Sequence, residues 1–382
     1  MRLIIIGAGP GGYETAAEAA SKGIETILIS DGPLGGTCLN EGCIPTKTLC
    51  AMSAPDLSRK EAVISQLQAG IAQLLKAGKV TVVQGRANLA GPRSVVVDGQ
   101  EYTADAVIIA TGSVSASLPI PGAELAVDSS AMLNLPSVPQ RLCVIGGGVI
   151  GLEFASVYAR FGSEVTVLEF CPGVLPRFDV DLAKRLKASL SRRGIKIETS
   201  ARVTAIEEAD GARRVHWLKG DNEFSADADC VLMAVGRRPN LGTLDLAAAG
   251  IEFTPRGIVV DENMQTNVPG VYAIGDVTGG MMLAHVASAQ GRKALAHICG
   301  EPCGIDLSLV PAAVFTVPEV ATVGLTEEEC EGREVAVGKA NYRANGKAVA
   351  SGEADGYCKV IADKATGKLL GAHILGAHAS DL

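Results

Sequence analysis

Cys38 and Cys43 lie in the run Gly35-Gly36-Thr37-Cys38-Leu39-Asn40-Glu41-Gly42-Cys43-Ile44-Pro45-Thr46-Lys47. With four residues between them, a distorted helical turn can bring their Cα atoms to about 6 Å, a separation suited to a disulfide. A helix N-terminus and the nearby Lys47 would lower a thiolate pKa, so thiol–disulfide chemistry is open to this pair. The plain alternative for any one cysteine is an inert packed thiol, and that is the expectation for Cys50, Cys143, Cys171, Cys230, Cys330 and Cys358. No second Cys/His pair has zinc-ligand spacing. His297, Cys299 and Cys303 form only a loose cluster, so no metal site is expected.

Two glycine runs point to a second kind of chemistry. Gly7-x-Gly9-x-x-Gly12, with Pro10 inside it, follows an apolar strand and opens an alanine-rich helix. The first glycine permits the tight turn, the second lets a pyrophosphate approach the backbone, and the third allows close strand–helix packing. The helix N-terminus then faces the phosphates. Gly146-x-Gly148-x-x-Gly151, with Ile150 inside it, repeats the pattern 139 positions later. A ribose-binding acid is expected about 20 residues on. Glu169 stands there in the second unit, which predicts NAD over NADP because a carboxylate repels a 2′-phosphate. The matching position of the first unit is Ser30, followed by Asp31, so the ribose contact falls to one of these two. Two dinucleotide sites suggest one bound flavin and one exchanging nicotinamide, hence electron transfer. The bland alternative is a duplicated domain with one site decayed.

The elements that must position these residues are legible as alternating strands and helices. Leu3 to Ile6, a helix from about Tyr13 to Ser21, and Ile24 to Ile29 make one βαβ unit. Leu142 to Ile145, a helix from about Ile150 to Arg160, and Val165 to Leu168 make another. Each predicts a parallel doubly wound sheet. A helix is expected from Arg59 to Leu75. Val80 to Val83, Ser94 to Val97 and Ala106 to Ile109 read as a β meander. Ile195 to Glu198, Arg202 to Ile206 and Arg214 to Leu218 read as a second one. Residues 118–139 carry four prolines and read as a connection between domains. From Val310 the texture changes to strands with a helix at Glu327 to Glu331 and a strand at Gly371 to Leu375. The expected fold class is α/β, two Rossmann-like dinucleotide-binding domains plus an α+β C-terminal domain. The boundaries read as 1–140, 141–262, 263–308 and 309–382.

Composition excludes other classes. The 382 residues are 47% hydrophobic and 20% charged, which supports large cores and excludes a disordered chain. Glycine is enriched, at 45 residues without a collagen period, which fits tight turns and close ligand approach. A net charge of −8 without a Lys/Arg cluster argues against a nucleic-acid partner. No run of about 20 apolar residues suggests a membrane span. The opening Met1-Arg2 and its short apolar run read as a strand and turn rather than a leader. Ten cysteines then fit a reducing, cytoplasmic setting.

Taken together, these motifs resemble the class I pyridine nucleotide–disulfide oxidoreductases, from residue 1 to 382. Gly35 to Lys47 is similar to that family's redox-active disulfide segment. Ala110-Thr111-Gly112-Ser113 resembles the turn that returns the chain to FAD. Gly236-Arg237-Arg238-Pro239-Asn240 resembles the end of the NAD domain. Thr266 to Asp276 resembles the second flavin motif, and Met282-Leu283-Ala284-His285 the flavin-contacting stretch after it. Glu169, Phe315-Thr316-x-Pro318-Glu319-Val320-Ala321 and Ala344-Asn345-Gly346-Lys347-Ala348 are most similar to the NAD-linked branch that oxidises dihydrolipoyl groups.

The resemblance implies FAD and NAD as cofactors. It makes Cys38 the interchange thiol, Cys43 the flavin-side thiol, and Lys47 a cation near flavin N5 paired with Glu153; an ordinary salt bridge is the plain alternative for that pair. Asp276 would accept from the ribityl hydroxyls. Gly36, Thr37, Ala87, Val203 and Gly236 join the implied cofactor contacts. Implied partners are lipoamide or a lipoyl-bearing carrier protein, NAD(H), and a second copy of the chain in a homodimer. Competing readings are a related NAD(P)H-dependent disulfide or mercuric reductase, and a non-catalytic flavoprotein component of a dehydrogenase complex. The family's C-terminal base, a His followed by Pro and oriented by Glu, has no match among His216, His285, His297, His373 and His378. The last two are expected at strand ends. The chain is expected to be a shortened form, with impaired proton transfer from the thiol and a weakened dimer interface.

Overall fold

The computed structural model describes residues 1–91 and 93–382. The chain divides into two compact units. The first is Met1–Pro45, Leu57–Ser115 and Arg237–Leu307; the second is Thr46–Asp56, Ala116–Gly236 and Ser308–Leu382.

The first unit is built on a five-stranded parallel sheet in the order Val271–Ala273, Ala106–Ile109, Arg2–Ile6, Glu25–Ser30, Thr81–Gln84. Its central strand is apolar on both faces, with Leu3, Ile4 and Ile5 fully buried, as parallel strands covered by helices require. Leu3 and Ile5 face one hydrophobic cluster, Ile4 and Ile6 another. The helices Pro10–Ser21 and Ala284–Cys299 pack together through small residues. A Cβ on Gly11 would stand 3.0 Å from the Ala287 carbonyl oxygen and 3.1 Å from its methyl, so even an alanine would crowd that contact. The 21-residue helix Leu57–Ala77 covers the helix expected at Arg59 to Leu75. A three-stranded antiparallel sheet, Ala87–Gly91, Ser94–Val97 and Gln100–Thr103, completes the unit. The expected meander is therefore corrected. Of its three segments only Ser94–Val97 lies in an antiparallel sheet, while Thr81–Gln84 and Ala106–Ile109 join the parallel one. Alternation predicts a strand but not the direction of its partner.

The second unit holds a four-stranded parallel sheet, Lys196–Glu198, Glu164–Leu168, Arg141–Ile145 and Cys230–Met233, and a three-stranded antiparallel one, Arg202–Ala209, Ala212–Lys219 and Asn222–Ala228. The second expected meander is corrected in the same way, because the strand at Lys196–Glu198 pairs in parallel with Glu164–Leu168. Residues 118–139 belong to this unit. Leu118, Ile120 and Leu125 pack on its core, so the segment is not a free connection. A five-stranded antiparallel sheet follows in the order Ala312–Val314, Glu319–Gly324, Leu369–Gly376, Tyr357–Asp363, Val335–Asn341. Val314, Val320, Tyr357 and Leu375 of that sheet share one hydrophobic cluster with Phe154 and Leu186 of the helices Val149–Arg160 and Val180–Arg192.

Buried ions strengthen the same contact. The Lys359 ammonium, with no exposed side-chain surface, lies 2.8 Å from Asp179 and 2.7 Å from Glu327. Asp179 also caps the helix Val180–Arg192 by accepting from the Leu182 amide at 3.1 Å.

The helix expected at Glu327 to Glu331 is one 3-10 turn, Glu328–Cys330. His373 is not at a strand end but in the middle of Leu369–Gly376, fully buried, with Thr322 and the Leu325 carbonyl as partners. His378 sits beyond that strand, in the left-handed region at φ 61°.

Candidate active site

In the first unit the glycine loop is shaped by its own backbone. Gly7 has φ 112°, and a Cβ there would strike the Ala110 carbonyl. A Cβ on Gly12 would strike the Gly7 carbonyl. Gly9 is different: a Cβ there meets nothing within 4 Å. Gly9 also caps the helix that begins at Pro10 without any side-chain hydrogen bond. Its first amides therefore have no capping side chain, the arrangement that suits an anion.

Groups from distant positions gather beside the loop Thr111-Gly112-Ser113. The Ser113 hydroxyl donates to Asp276 at 2.5 Å and accepts from Arg237 Nε at 2.7 Å, while Arg237 Nη2 donates to the Ser113 carbonyl at 2.8 Å. Thr111 donates to the Asn240 carbonyl at 3.2 Å. Asp276 lies on the 3-10 turn Gly275–Thr278, and Gln290 accepts from the Gly275 amide at 2.6 Å. Met282 and Ala284 are half-buried and His285 is exposed. Leu283 caps the helix Ala284–Cys299 without a side-chain bond. Ser30 is buried at its strand end and folds its hydroxyl back onto Gly32, donating to the carbonyl at 3.0 Å, whereas Asp31 is exposed. Ala87 turns its methyl into a hydrophobic cluster. The link from Arg237 to Ser113 is not legible in the sequence, since nothing local marks a contact across 124 residues.

The cysteine loop rests on that glycine loop. The Gly35 amide donates to the Ala8 carbonyl at 2.9 Å. Gly36, at φ 57°, lies so close that a Cβ would stand 2.6 Å from the Gly9 Cα. A short helix, Gly36–Glu41, then carries Cys38, and a second helix, Cys43–Cys50, begins at Cys43. Between them Gly42 folds back, and a Cβ on it would lie 3.6 Å from the Cys38 Cα. This turn brings the chain at position 43 back beside Cys38. Asn40 braces it: its side-chain amide donates to the carbonyls of Gly36 at 2.8 Å and Leu34 at 3.1 Å. Its oxygen accepts from Gln68 at 2.6 Å. Thr37 is exposed and both cysteines are half-buried.

Lys47 stands one turn after Cys43 on the same helix, so the two share a helix face. In the second unit its ammonium lies 3.5 Å from Glu153 Oε1. Glu153 is buried on the helix Val149–Arg160. Burial pushes its carboxyl up, and Lys47 and the Phe315 amide work against that shift. The Phe315 amide donates to the same Oε1 at 2.9 Å, and Lys47 Nζ lies 4.4 Å from the centre of the Phe315 ring. Two turns along, Arg160 donates to the carbonyls of Leu49 at 3.0 Å and Cys50 at 2.7 Å, capping the end of the lysine's helix. Burial pushes the Cys50 and Cys143 thiols up to about 12, which keeps them protonated and inert.

The second glycine loop repeats the first. Gly146, at φ 114°, faces the Ala234 carbonyl and Gly151 the Gly146 carbonyl, while a Cβ on Gly148 meets nothing within 4 Å. Ile150 is half-buried and Gly236 opens onto free space. The buried Glu169 accepts from the Gly147 amide at 2.5 Å and the Cys171 amide at 2.6 Å, one per oxygen. A carboxylate offers about four lone-pair sites, so acceptor capacity remains for ribose hydroxyls. The Cys171 amide was not foreseen as a partner. Val203 packs inward on a neighbouring strand. Among the described residues no group of three or more His, Cys, Asp or Glu could hold a metal, and no helix is long and apolar enough to cross a membrane. His297 Nδ1 is engaged with the Tyr272 hydroxyl at 3.0 Å.

Residues 1–291 match the model of the pyridine nucleotide-disulphide oxidoreductases, and residues 310–382 match that family's dimerisation domain. The chain belongs to this family. Among curated relatives of this pyridine nucleotide-disulphide oxidoreductase are two dihydrolipoyl dehydrogenases of Bacillus subtilis. One is 37% identical, covering all of this chain and 90% of the relative; the other is 41% identical, covering 99% and 87%. Among solved structures, the HOCl-induced flavoprotein disulfide reductase RclA from Escherichia coli superposes with a TM-score of 0.93 at 32% identity, covering all of this chain and 91% of that one. The two loops of this oxidoreductase fit the dinucleotides of the family. Gly9 and Gly148 leave space where a pyrophosphate would lie, although the glycines on either side are crowded by backbone.

Proposed function

We propose that this oxidoreductase is an FAD-dependent dihydrolipoyl dehydrogenase, converting dihydrolipoamide and NAD⁺ to lipoamide, NADH and a proton. The observation that carries the reading is the seat of the cysteine loop. Gly36 lies on Gly9, so the segment bearing Cys38 and Cys43 is packed directly on the dinucleotide loop. FAD, when bound, supplies the two-electron relay between the cysteine pair and the nicotinamide.

In this reading a dihydrolipoyl thiolate attacks Cys38 Sγ in the oxidised pair, the bond to Cys43 breaks, and Cys43 leaves as thiolate. The second lipoyl thiolate then displaces Cys38. The lipoyl group loses two electrons, and the pair gains them as a dithiol. Lys47, oriented by Glu153, supplies positive charge where electron density accumulates. Gly7, Gly9, Pro10, Gly12, Ser30, Thr111 to Ser113, Asp276 and Met282 to His285 hold the flavin, within residues 1–140 and 263–308. Gly146, Gly148, Ile150, Gly151 and Glu169 hold NAD, within residues 141–262. Residues 309–382 pair two copies of the chain. A lipoyl-bearing carrier and a cytoplasmic setting complete the proposal.

Anaerobic titration of the yellow holoprotein with dihydrolipoamide, followed in the visible spectrum, tests it. A long-wavelength band after two electrons, absent from C43S, is expected together with lipoamide turnover. Bleaching without that band would remove Cys38 and Cys43 from the reaction. Reduction of other disulfides or metal ions without lipoamide turnover would favour a disulfide reductase instead.

A further inference from the structure

The lysine site is completed by a residue that lies outside the span matching the oxidoreductase model. Phe315 follows the strand Ala312–Val314 in the part of the chain that matches the dimerisation domain. It makes two contacts of different kinds. Its amide donates to Glu153 Oε1 at 2.9 Å, and its ring lies 4.4 Å from Lys47 Nζ. Two residues on, the Val317 amide donates to the Ser156 hydroxyl at 3.1 Å. Glu153 and Ser156 are three apart on one helix, so the segment 315–317 is laid along a single helical face. The residues beside the ring are anchored too, since Val314 and Thr316 are buried and Thr316 donates to the Pro318 carbonyl at 2.6 Å.

Lys47 needs such a partner. Its side chain is one-third exposed and flexible, and its separation of 3.5 Å from Glu153 is longer than a close charge-assisted hydrogen bond. The oxygen it faces is the one that already accepts from Phe315. One carboxylate shared in this way holds the ammonium from one side only. An aromatic face adds a second attraction from another direction, because the ring quadrupole is negative over its face.

We propose that Phe315 is a positioning residue for Lys47: its amide orients Glu153 and its ring face holds the ammonium. The inference rests on the reading of Lys47 as the cation beside the flavin, and the experiment separates the two.

The measurement is the two-electron midpoint potential of the FAD-loaded protein in F315L, F315Y, K47M and the double variant F315L/K47M. F315L keeps the amide and most of the volume but loses the aromatic face, and F315M serves the same purpose should F315L fail to hold FAD. F315L is expected to make reduction less favourable by about threefold to tenfold, about 15–30 mV at 29.6 mV per tenfold. F315Y keeps the native value. In the K47M background F315L adds nothing, because its effect passes through the ammonium. Should K47M shift the potential while F315L does not, Phe315 is not the positioning residue and Lys47 keeps its role. A shift from F315L that persists without Lys47 also overturns the inference, by showing a structural effect. A K47M variant with native potential overturns the placement of Lys47 and this inference with it.

Discussion

Gly36 sits on Gly9 so closely that a single added carbon would lie 2.6 Å from the Gly9 Cα. Two segments separated by 27 positions are thereby held at a distance only glycine tolerates. The cysteine loop inherits its position from the glycine loop, so whatever ligand the glycine loop binds lies next to Cys38 and Cys43.

G36A and G9A should therefore fail differently. At position 36 the new methyl meets backbone and φ is 57°, so G36A should lose about 1–3 kcal/mol of stability with its cofactor. At position 9 the methyl enters open space. G9A should leave the thermal unfolding of the cofactor-free protein within about 0.5 kcal/mol of native and weaken FAD binding. Unfolding midpoints and flavin content per chain check both.

The Asn40 brace makes a claim about thiol chemistry. N40A removes two donors to Gly36 and Leu34 and the acceptor used by Gln68. Its expected cost is about 1–3 kcal/mol. Q68A removes only one of those bonds and should cost less, about 1 kcal/mol. In the reduced protein Cys38 should alkylate faster in N40A than in native, with Q68A between them. Equal alkylation rates in all three would show that the brace does not constrain the thiol.

Glu169 accepts from two backbone amides, and in the proposed function its remaining lone pairs hold a ribose. E169Q should lower the preference for NAD over NADP by about tenfold to a hundredfold, the effect of losing a hydrogen bond to a charged group and its repulsion of a 2′-phosphate. The ratio of kcat/KM for the two nucleotides measures it. An unchanged ratio would mean that discrimination lies elsewhere.

The Asp179–Lys359 pair should dominate acid stability in the second unit. Burial pushes the Asp179 carboxyl up, but the Lys359 ammonium and the Leu182 and Glu327 amides outweigh it and hold it below the ordinary carboxylate range. Burial likewise lowers Lys359, and Asp179 and Glu327 more than restore it, so its pKa is raised. The carboxylate's contribution is present above an unfolded pKa near 3.9 and is lost as pH falls through the lower native value. The ammonium's contribution is complete below about 10.4 and is lost as pH rises through its raised native value. K359A strands Asp179 without exposure and should cost about 3–5 kcal/mol at neutral pH. Urea unfolding of native, K359A and D179N/K359M chains between acid and neutral pH checks it. The gap between native and K359A should close as the pH falls through the native Asp179 pKa.

The parts of this protein legible in its sequence are those whose physics is local. The glycine spacing writes a turn at Gly7 to Gly12 and at Gly146 to Gly151, because positive φ and strand–helix contact act within a few residues. The place of Glu169 just after a parallel strand is legible because it follows from one βαβ unit, while its ribose contact belongs to the proposed function. Cys38, Gly42 and Cys43 form one turn, and their spacing alone shows that the thiols can meet. Lys47 and Glu153 were paired by resemblance, since nothing local connects residues 106 positions apart. Tertiary structure alone decided the rest. A period-two pattern cannot say whether Thr81–Gln84 pairs in parallel or in a hairpin, because the partner depends on how the chain crosses over. It also set Phe315 against Lys47, Arg237 against Ser113, and Lys359 against Asp179. In each case a charge or donor takes its meaning from a group more than a hundred residues away, brought close only when the apolar cores close.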